Sequence, residues 1–336
     1  MTAPPANRAL AADALWVPLL THYQGAARVA VDPRRMAAHV AHLKPHVRQL
    51  LLAGSTGDGW ELSMRQLLDI AALARDRDVF GDARLLFGLL RGTTDEVMQW
   101  ARALEQNFLD DGPPAGEFVG YAVCPPIDER AGQDAIRRHY ERVLAATTRP
   151  IAVYELPQVT GCSIAPETLR ALAQDPRVIL FKDTGGVDAV ARAGAAAQVV
   201  MLRGAEGGYA EALKPNGPYD GWLLSTANVF AREFRHILRF RDAGQADAAR
   251  ELSATLTRQI AALFEAAARL PFGNAFSNAN HAGDHILAWG QAWRDAPPPV
   301  TVSGERLPRA LIEAAAESLA RHPGVPERGY LAHPPE

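Results

Sequence analysis

The sequence predicts an α/β protein, a (β/α)8 TIM barrel with a C-terminal helical extension, and three observations lead to that prediction. Eight short apolar runs occur before residue 227, and a segment with helical periodicity follows each of them. Most runs are unbroken, as in parallel strands that are covered on both faces. Successive runs start about 21 to 35 residues apart, which is the spacing of repeated βα units. Eight such units fit a closed barrel better than an open doubly wound sheet.

The eight runs are the predicted strands. With the segments between them they make up a predicted barrel domain over residues 15–243, which follows an N-terminal lead of residues 1–14. In chain order the predicted strands are Leu15–Thr21, Gln49–Ala53, Arg84–Leu89, Phe118–Cys124, Ile151–Tyr154, Val178–Lys182, Val199–Arg203 and Gly221–Thr226.

Helix start signals stand in front of four of the intervening segments. Asp32, Ser63 and Thr93 are residue types whose side chains accept hydrogen bonds from the first-turn N–H groups of a helix. Pro166 places proline at a first helical position, where its missing N–H is not needed. The sequence therefore predicts helices that begin at these four points.

The strand signal stops after the eighth run, and residues 244–322 are predicted to form a helical extension that packs on the barrel. Its helices are expected at Ala246–Ala268, Ala279–Gly290 and Arg306–Ala320. Residues 323–336 contain several prolines and are expected to form a loosely ordered tail.

Charge balance and cysteine count exclude several classes of protein. The chain has 35 Lys and Arg against 38 Asp and Glu, so it lacks the basic surface that nucleic acids and anionic membranes require. Two cysteines cannot form a disulfide framework. No stretch reaches the roughly 18 apolar residues of a membrane span, and no signal peptide pattern is visible. We therefore expect a cytoplasmic protein with no nucleic-acid or membrane partner.

Two residues at neighbouring strand ends are the strongest catalytic candidates, because functional groups of TIM barrels lie at the carboxyl ends of the strands. Lys182 ends an apolar strand, where desolvation lowers the pKa of an amine and frees it to attack a carbonyl. Tyr154 ends the preceding strand and can transfer protons to and from oxygen. The alternatives are a lysine that reaches out to water and an aromatic plug in the barrel mouth.

Two further patterns are weaker. The loop Gly54–Gly59 has neither the Walker nor the dinucleotide-binding spacing, but its N–H groups and hydroxyls can converge on an anion such as a carboxylate. A tight turn without a ligand is the alternative. His281 and His285 are four residues apart on a predicted helix, yet no zincin glutamate or third ligand accompanies them. We predict helix-surface histidines and no metal site.

Four motifs in this order resemble those of the dihydrodipicolinate synthase / N-acetylneuraminate lyase family of class I aldolases, over residues 15–268. GSTGD at Gly54–Asp58 is similar to the family's glycine-rich loop, with Asp58 in place of Glu. YELP at Tyr154–Pro157 is similar to its Tyr-Asn-x-Pro segment, and FKDTG at Phe181–Gly185 is similar to its Schiff-base segment. STAN at Ser225–Asn228 is similar to the segment after its eighth strand.

The resemblance implies that Lys182 forms an imine with the ketone of a 2-oxo acid and that Tyr154 acts as the general acid/base. It also implies a homo-oligomer, a dimer or a tetramer, that needs no metal or organic cofactor. The predicted catalytic residues are Lys182, Tyr154 and Ser55, and the predicted substrate-binding residues are Thr56, Gly57, Thr21, Glu155, Thr184, Glu206 and Ser225.

Departures from the family pattern bear on the substrate. Val159 stands where dihydrodipicolinate synthase has a carboxylate-binding arginine, and Ile127 stands where it has a second relay tyrosine. Glu206 and Ser225 fall where the sialic-acid lyase branch binds sugar hydroxyls, and Glu155 replaces the usual Asn. The pattern favours a hydroxylated substrate such as a 2-keto-3-deoxy sugar acid.

Three alternatives stay open at this point. The first is dihydrodipicolinate synthase proper, in which Arg91, Arg203 or His22 would supply the cation that Val159 cannot. The second is a family member that has lost turnover and binds a ligand or regulates. The third is a metal-dependent pyruvate aldolase, for which we find no converging ligand set.

Overall fold

The computed structural model of the protein describes residues 10–25 and 28–331. Eight parallel strands close into a barrel in which the first strand pairs with both the second and the last barrel strand. In chain order the strands are β1 Leu15–Pro18, β2 Tyr23–Gln24, β3 Ala30–Val31, β4 Gln49–Leu52, β5 Arg84–Gly88, β6 Glu117–Val123, β7 Ile151–Glu155, β8 Val178–Asp183, β9 Val200–Arg203 and β10 Gly221–Leu223.

All eight predicted strands are present, so the predicted TIM barrel is confirmed. The antiparallel pair of β2 with β3 lies outside the barrel and was not predicted. Strands this short give little alternation to detect. The barrel interior is filled by apolar side chains such as Trp16, Leu51, Leu86 and Leu180, and Leu10 from the predicted lead packs with them. Residues 1–9 of that lead are outside the described residues.

Helices surround the barrel and continue beyond it. The N-cap side chains of Asp32, Ser63 and Thr93 accept hydrogen bonds from first-turn N–H groups, and Pro166 is the first residue of its helix. In chain order the α-helices are α1 Pro33–Leu43, α2 Met64–Leu73, α3 Arg77–Phe80, α4 Thr94–Asp111, α5 Gln133–Ala146, α6 Pro157–Thr160, α7 Pro166–Leu172, α8 Ala189–Arg192, α9 Tyr209–Ala212, α10 Ala227–Asp242, α11 Ala246–Ala267, α12 Ala275–Trp289 and α13 Arg309–Leu319.

Helix α12 differs from the expectation for a surface helix. Every residue from Ser277 to Ala288 is buried, because the helix packs against α10, α11, α13 and the turn after β4. The prediction of helix-surface histidines is therefore wrong, since His281 is 3% exposed and His285 is 2% exposed. A helix that is covered on all sides shows no polar face from which its burial could be recognised.

The tail also differs from the expectation as far as it is described. The hydroxyl of Tyr330 donates to the carboxylate of Asp284 at 2.6 Å, and the amide of Tyr330 donates to the carbonyl of Leu287. These contacts fix the tail against α12 up to residue 331, and residues 332–336 lie outside the described residues. Among the described helices, none is long and apolar enough to cross a membrane.

Candidate active site

Strand pairing brings the two catalytic candidates together. In the β7–β8 ladder, Tyr154 is opposite Lys182 and Glu155 is opposite Asp183. Because side chains alternate along a strand, the first pair faces the barrel mouth and the second faces outward. The Lys182 amine nitrogen lies 4.0 Å from the centre of the Tyr154 ring. Both side chains are buried, with 4% of Lys182 and 2% of Tyr154 exposed.

Burial changes the protonation of both groups in the directions that imine chemistry needs. Desolvation lowers the pKa of Lys182 to about 7, although Cys124 and Glu206 act in the opposite direction. A substantial fraction of the amine is therefore neutral and nucleophilic near neutral pH. Burial raises the pKa of Tyr154 well above its usual value, so this residue carries its proton as a phenol.

The turn after β4 places a hydroxyl beside this pair. Ser55 begins a single 3-10 turn that ends at Gly57, and its hydroxyl lies beside Tyr154, where it partly offsets the rise that burial causes in the pKa of that phenol. Thr21 stabilises this turn, because its hydroxyl donates a hydrogen bond to the Gly57 carbonyl at 2.8 Å. A Cβ atom at position 57 would lie 2.5 Å from the Leu19 carbonyl oxygen, so this close approach requires glycine.

A cavity of about 210 Å³ opens at the carboxyl end of the barrel, directly over the lysine. The structure brings seven of the predicted site residues to it, while Thr21, Gly57 and Glu155 do not line it. The seven are Ser55, Thr56, Tyr154, Lys182, Thr184, Glu206 and Ser225. Their roles toward a substrate stay predictions.

The sequence does not explain why Glu155 replaces the usual Asn, and the structure shows a contact for its side chain. One of its carboxylate oxygens accepts a hydrogen bond from the backbone N–H of Ile164 at 2.8 Å. Burial raises its pKa to about 7, and the neighbouring Asp183 adds to that rise. Thr184 donates its backbone N–H and its hydroxyl to the Glu155 carbonyl. The Glu155 carboxylate thus holds the segment after β7, and its backbone carbonyl holds the start of the loop after β8.

Glu206 is engaged within the protein. Its carboxylate accepts hydrogen bonds from the hydroxyls of Ser225 and Thr226, each at 2.8 Å, and from the Thr226 N–H at 3.2 Å. The Tyr209 hydroxyl donates a fourth bond at 3.0 Å. Four donors occupy about as many positions as a carboxylate offers. Burial nevertheless raises the pKa of Glu206 above its usual value.

A known family of proteins matches most of this chain, including the site just described. The family model described as the dihydrodipicolinate synthetase family matches residues 14–279. The chain belongs to the dihydrodipicolinate synthetase family. Lys182, Tyr154 and the Ser55 turn all lie within the matched residues. The resemblance read from the four motifs is therefore confirmed.

Individual members of this family are distant in sequence. A 4-hydroxy-tetrahydrodipicolinate synthase of Chlamydia trachomatis serovar D is 27% identical over 137 residues, which cover 41% of this chain and 44% of that protein. This match thus spans less than half the length of the curated relative. The comparison therefore identifies the family without fixing the reaction of the whole protein.

Solved structures of low sequence identity share the fold of this chain. The prophage protein YagE of Escherichia coli K12, solved with pyruvate, has a TM-score of 0.74 and 19% identity, with 91% of this chain and 97% of YagE covered. A 2-keto-3-deoxygluconate aldolase of Sulfolobus sulfataricus has a TM-score of 0.70 and 16% identity, with coverages of 91% and 95%.

The departures from the family pattern leave the cavity with a single cation. Among the described residues that line it, only Lys182 carries a basic group. Arg91 donates to the carbonyls of Gly59, Trp60 and Leu62 instead. Arg203 donates to the carbonyls of Ala205 and Gly207, and His22 pairs with Asp284 at 2.9 Å. Neither Val159 nor Ile127 lines the cavity.

The sequence analysis missed two cavity residues and one supporting residue from the C-terminal extension. Phe264 of α11 and Phe276 of α12 line the cavity. The Asn274 side-chain amide donates to the carbonyl and the hydroxyl of Ser55, at 2.9 and 3.3 Å. An Asn before a helix is a recognisable N-cap signal, but nothing in the sequence shows which loop it faces.

A second polar cluster lies outside this site. His22, His39 and Asp284 are buried, and their ligand-type atoms all lie within 4.8 Å of one another. The Arg35 guanidinium and the Tyr330 hydroxyl also donate to Asp284. Because Arg35 already supplies a positive charge to this carboxylate, the donor set does not suit a metal cation. The absence of a metal site stays a prediction.

Proposed function

We propose that the protein is a Schiff-base lyase, an aldolase or a dehydratase, that acts on a pyruvate-type 2-oxo acid. The observation that carries this proposal is the buried Lys182 amine, 4.0 Å from the Tyr154 ring and under the Ser55 turn. A binding protein would need neither a desolvated amine nor an adjacent phenol. Membership of the dihydrodipicolinate synthetase family supports the same reaction class.

The reaction proceeds through an imine. The neutral Lys182 amine adds to the C2 carbonyl, and loss of water gives an iminium ion that withdraws electrons from C3. In an aldolase the C4 hydroxyl loses its proton, the C3–C4 bond breaks, and its electron pair forms the enamine. A proton then adds to C3, and water releases pyruvate and the free lysine. The imine nitrogen is the electron sink, so we propose that no metal or organic cofactor takes part.

Tyr154 is the group placed to move the protons. Its hydroxyl lies beside that of Ser55, so the phenol can pass its own proton toward Ser55 as its oxygen takes the proton of the C4 hydroxyl. The hydroxyl of Thr56 and the backbone around Ser55 face the same end of the cavity and suit the substrate carboxylate. In a dehydratase the same phenol would protonate the departing hydroxyl.

A C4 hydroxyl is common to the aldols of pyruvate, including the 2-keto-3-deoxy sugar acids that the sequence predicts. Glu206 and Ser225, which that more specific proposal assigns to the sugar hydroxyls, line the cavity, but they are hydrogen-bonded to each other within the protein. Dihydrodipicolinate synthase proper is the second candidate, since curated relatives carry that activity in their names. Against it, the described residues that line the cavity include no second cation for a second carboxylate.

Borohydride trapping tests the proposed function. Incubation with pyruvate and borohydride should leave a reduced three-carbon adduct on Lys182, located by peptide mass spectrometry. The Lys182→Arg variant should form no adduct. The control Lys214→Arg should label like the wild type, because Lys214 pairs with Asp220 and does not line the cavity. An adduct on another lysine, or none with any 2-oxo acid, would overturn the proposal.

A further inference from the structure

Four of the polar residues that line the cavity belong to the predicted catalytic group and its neighbouring turn. Ser55, Thr56, Tyr154 and Lys182 are placed to contact the first three carbons of a 2-oxo acid. They supply hydroxyls, a phenol and an amine for the carboxylate and the ketone. These contacts account for the part of the substrate that every aldol of pyruvate shares.

The remaining polar side chains of the cavity already form hydrogen bonds with other groups of the protein. The Ser225 hydroxyl donates to Glu206, the Thr184 hydroxyl donates to the Glu155 carbonyl, and the Gln158 amide donates to the Thr184 carbonyl at 2.8 Å. Glu206 in turn accepts from four donors. A polyhydroxylated chain would have to compete with these internal bonds, and a buried hydroxyl left without a partner weakens binding.

Apolar side chains form another part of the lining. Leu156, Phe264 and Phe276 face the cavity together with Gly185 and Gly186, which present backbone without side chains. The two phenylalanine rings meet edge to face, with centroids 5.0 Å apart and an interplanar angle of 87°. Phe276 is 39% exposed although it is a large apolar residue. A ligand that covers this ring would remove apolar surface from water.

We infer that the substrate carries an aryl group on C4, held against Phe264 and Phe276, rather than a polyhydroxylated chain. Aromatic rings favour the edge-to-face and offset arrangements that a phenylalanine pair offers. The inference rests on the proposed function, which fixes the chemistry from C1 to C4. In the aldolase direction, a 4-aryl-4-hydroxy-2-oxobutanoate breaks its C3–C4 bond and yields an aryl aldehyde and pyruvate, so atoms and electrons balance without any co-reactant.

The experiment compares kcat/KM for 4-hydroxy-2-oxo-4-phenylbutanoate and for 2-keto-3-deoxygluconate on one preparation. We expect the phenyl compound to be processed at least tenfold more efficiently, whether it is cleaved or dehydrated. A preference for the sugar acid would overturn the inference while leaving the proposed function intact. Turnover of neither compound, with a pyruvate adduct still formed on Lys182, would also overturn it. Failure of the adduct itself would instead overturn the proposed function.

Variants locate the effect in the phenylalanine pair. Phe276→Ala should lower kcat/KM for the phenyl compound about tenfold or more, and Phe276→Leu should lower it less. Both should leave borohydride labelling with pyruvate unchanged, which also shows that they fold. Phe240→Ala is the matched control, since Phe240 is a partly buried ring on α10 that does not line the cavity. An equal loss in the control, or no loss in Phe276→Ala, would contradict the assignment.

Discussion

Single residues of this site owe their chemistry to burial. Lys182 is an ordinary lysine by type, and desolvation at the end of β8 lowers its pKa to about 7. Glu206, in the same cavity, acts in the opposite direction because its negative charge favours the protonated amine. The two effects together set the pH at which the nucleophile becomes available.

The first prediction at this scale concerns pH. The rate of pyruvate imine formation should rise with pH and level off above about 7, because only the neutral amine attacks. Glu206→Gln should move this rise to lower pH, since it removes the negative charge that favours the protonated lysine. Borohydride-quenched time courses at a series of pH values measure both effects. A rise centred near 10, the usual value for lysine, would show that the amine is not desolvated.

The second prediction concerns Tyr154. Tyr154→Phe keeps the ring beside the Lys182 amine but removes the hydroxyl that contacts Ser55. Turnover of the true substrate should fall about a hundredfold, the scale of losing a positioned acid/base group, while the pyruvate adduct on Lys182 still forms. Steady-state kinetics and adduct mass spectrometry on one preparation measure the two quantities. Near wild-type turnover would show that the phenol only packs.

At the scale of elements, the C-terminal helices complete a site that the barrel begins. Asn274 is the N-cap of helix α12, and its side-chain oxygen accepts hydrogen bonds from the N–H groups of Phe276 and Ser277. The nitrogen of the same amide donates to Ser55. One side chain therefore both caps a helix and holds the turn beside the catalytic pair.

This double role predicts a specific behaviour for Asn274→Ala. Loss of the cap should reduce the free energy of unfolding by about 1 kcal/mol, and loss of the Ser55 contacts should lower kcat as well. The matched control is Ser63→Ala, which removes the cap of α2, an element without a cavity residue. Urea unfolding and steady-state kinetics are compared for the two variants. Equal kinetic losses would mean that Asn274 acts only through stability.

At the scale of the whole molecule, one buried carboxylate ties distant parts of the chain together. Asp284 of α12 is contacted by Arg35 and His39 of α1, by His22 after β1 and by Tyr330 of the tail. Burial alone would raise the pKa of Asp284, but the facing Arg35 and the histidines bring it well below its usual value. The cluster therefore joins the start of the barrel to the end of the described chain.

Neutralising the Asp284 carboxylate should lower the free energy of unfolding. Asp284→Asn leaves the partly buried Arg35 without its counter-charge, and such a loss in a buried pair typically costs about 3–5 kcal/mol. Urea unfolding measures the change. The control Asp134→Asn breaks the exposed pair with Arg137 and should change the free energy by less than about 1 kcal/mol. Similar values for both variants would show that the cluster does not stabilise the molecule.

Local sequence determined the architecture and the catalytic pair. The eight apolar runs define the barrel strands because a parallel strand buried on both faces must be apolar throughout. The strand ends and the 28-residue spacing place Lys182 and Tyr154 on neighbouring strands at one level. N-cap residues such as Asp32 and Ser63 mark helix starts because their hydrogen bonds are local.

Only the tertiary structure decided what surrounds that pair. Phe264 and Phe276 reach the cavity, and Asn274 reaches Ser55, across more than 200 residues of sequence in the last case. The full burial of α12, with His281 inside, likewise depends on which helices cover it. These contacts join residues far apart in the chain, whereas periodicity and capping report only on neighbours within a few positions. The sequence therefore establishes the fold and the reacting groups, and packing between distant elements determines the shape and chemistry of the substrate cavity.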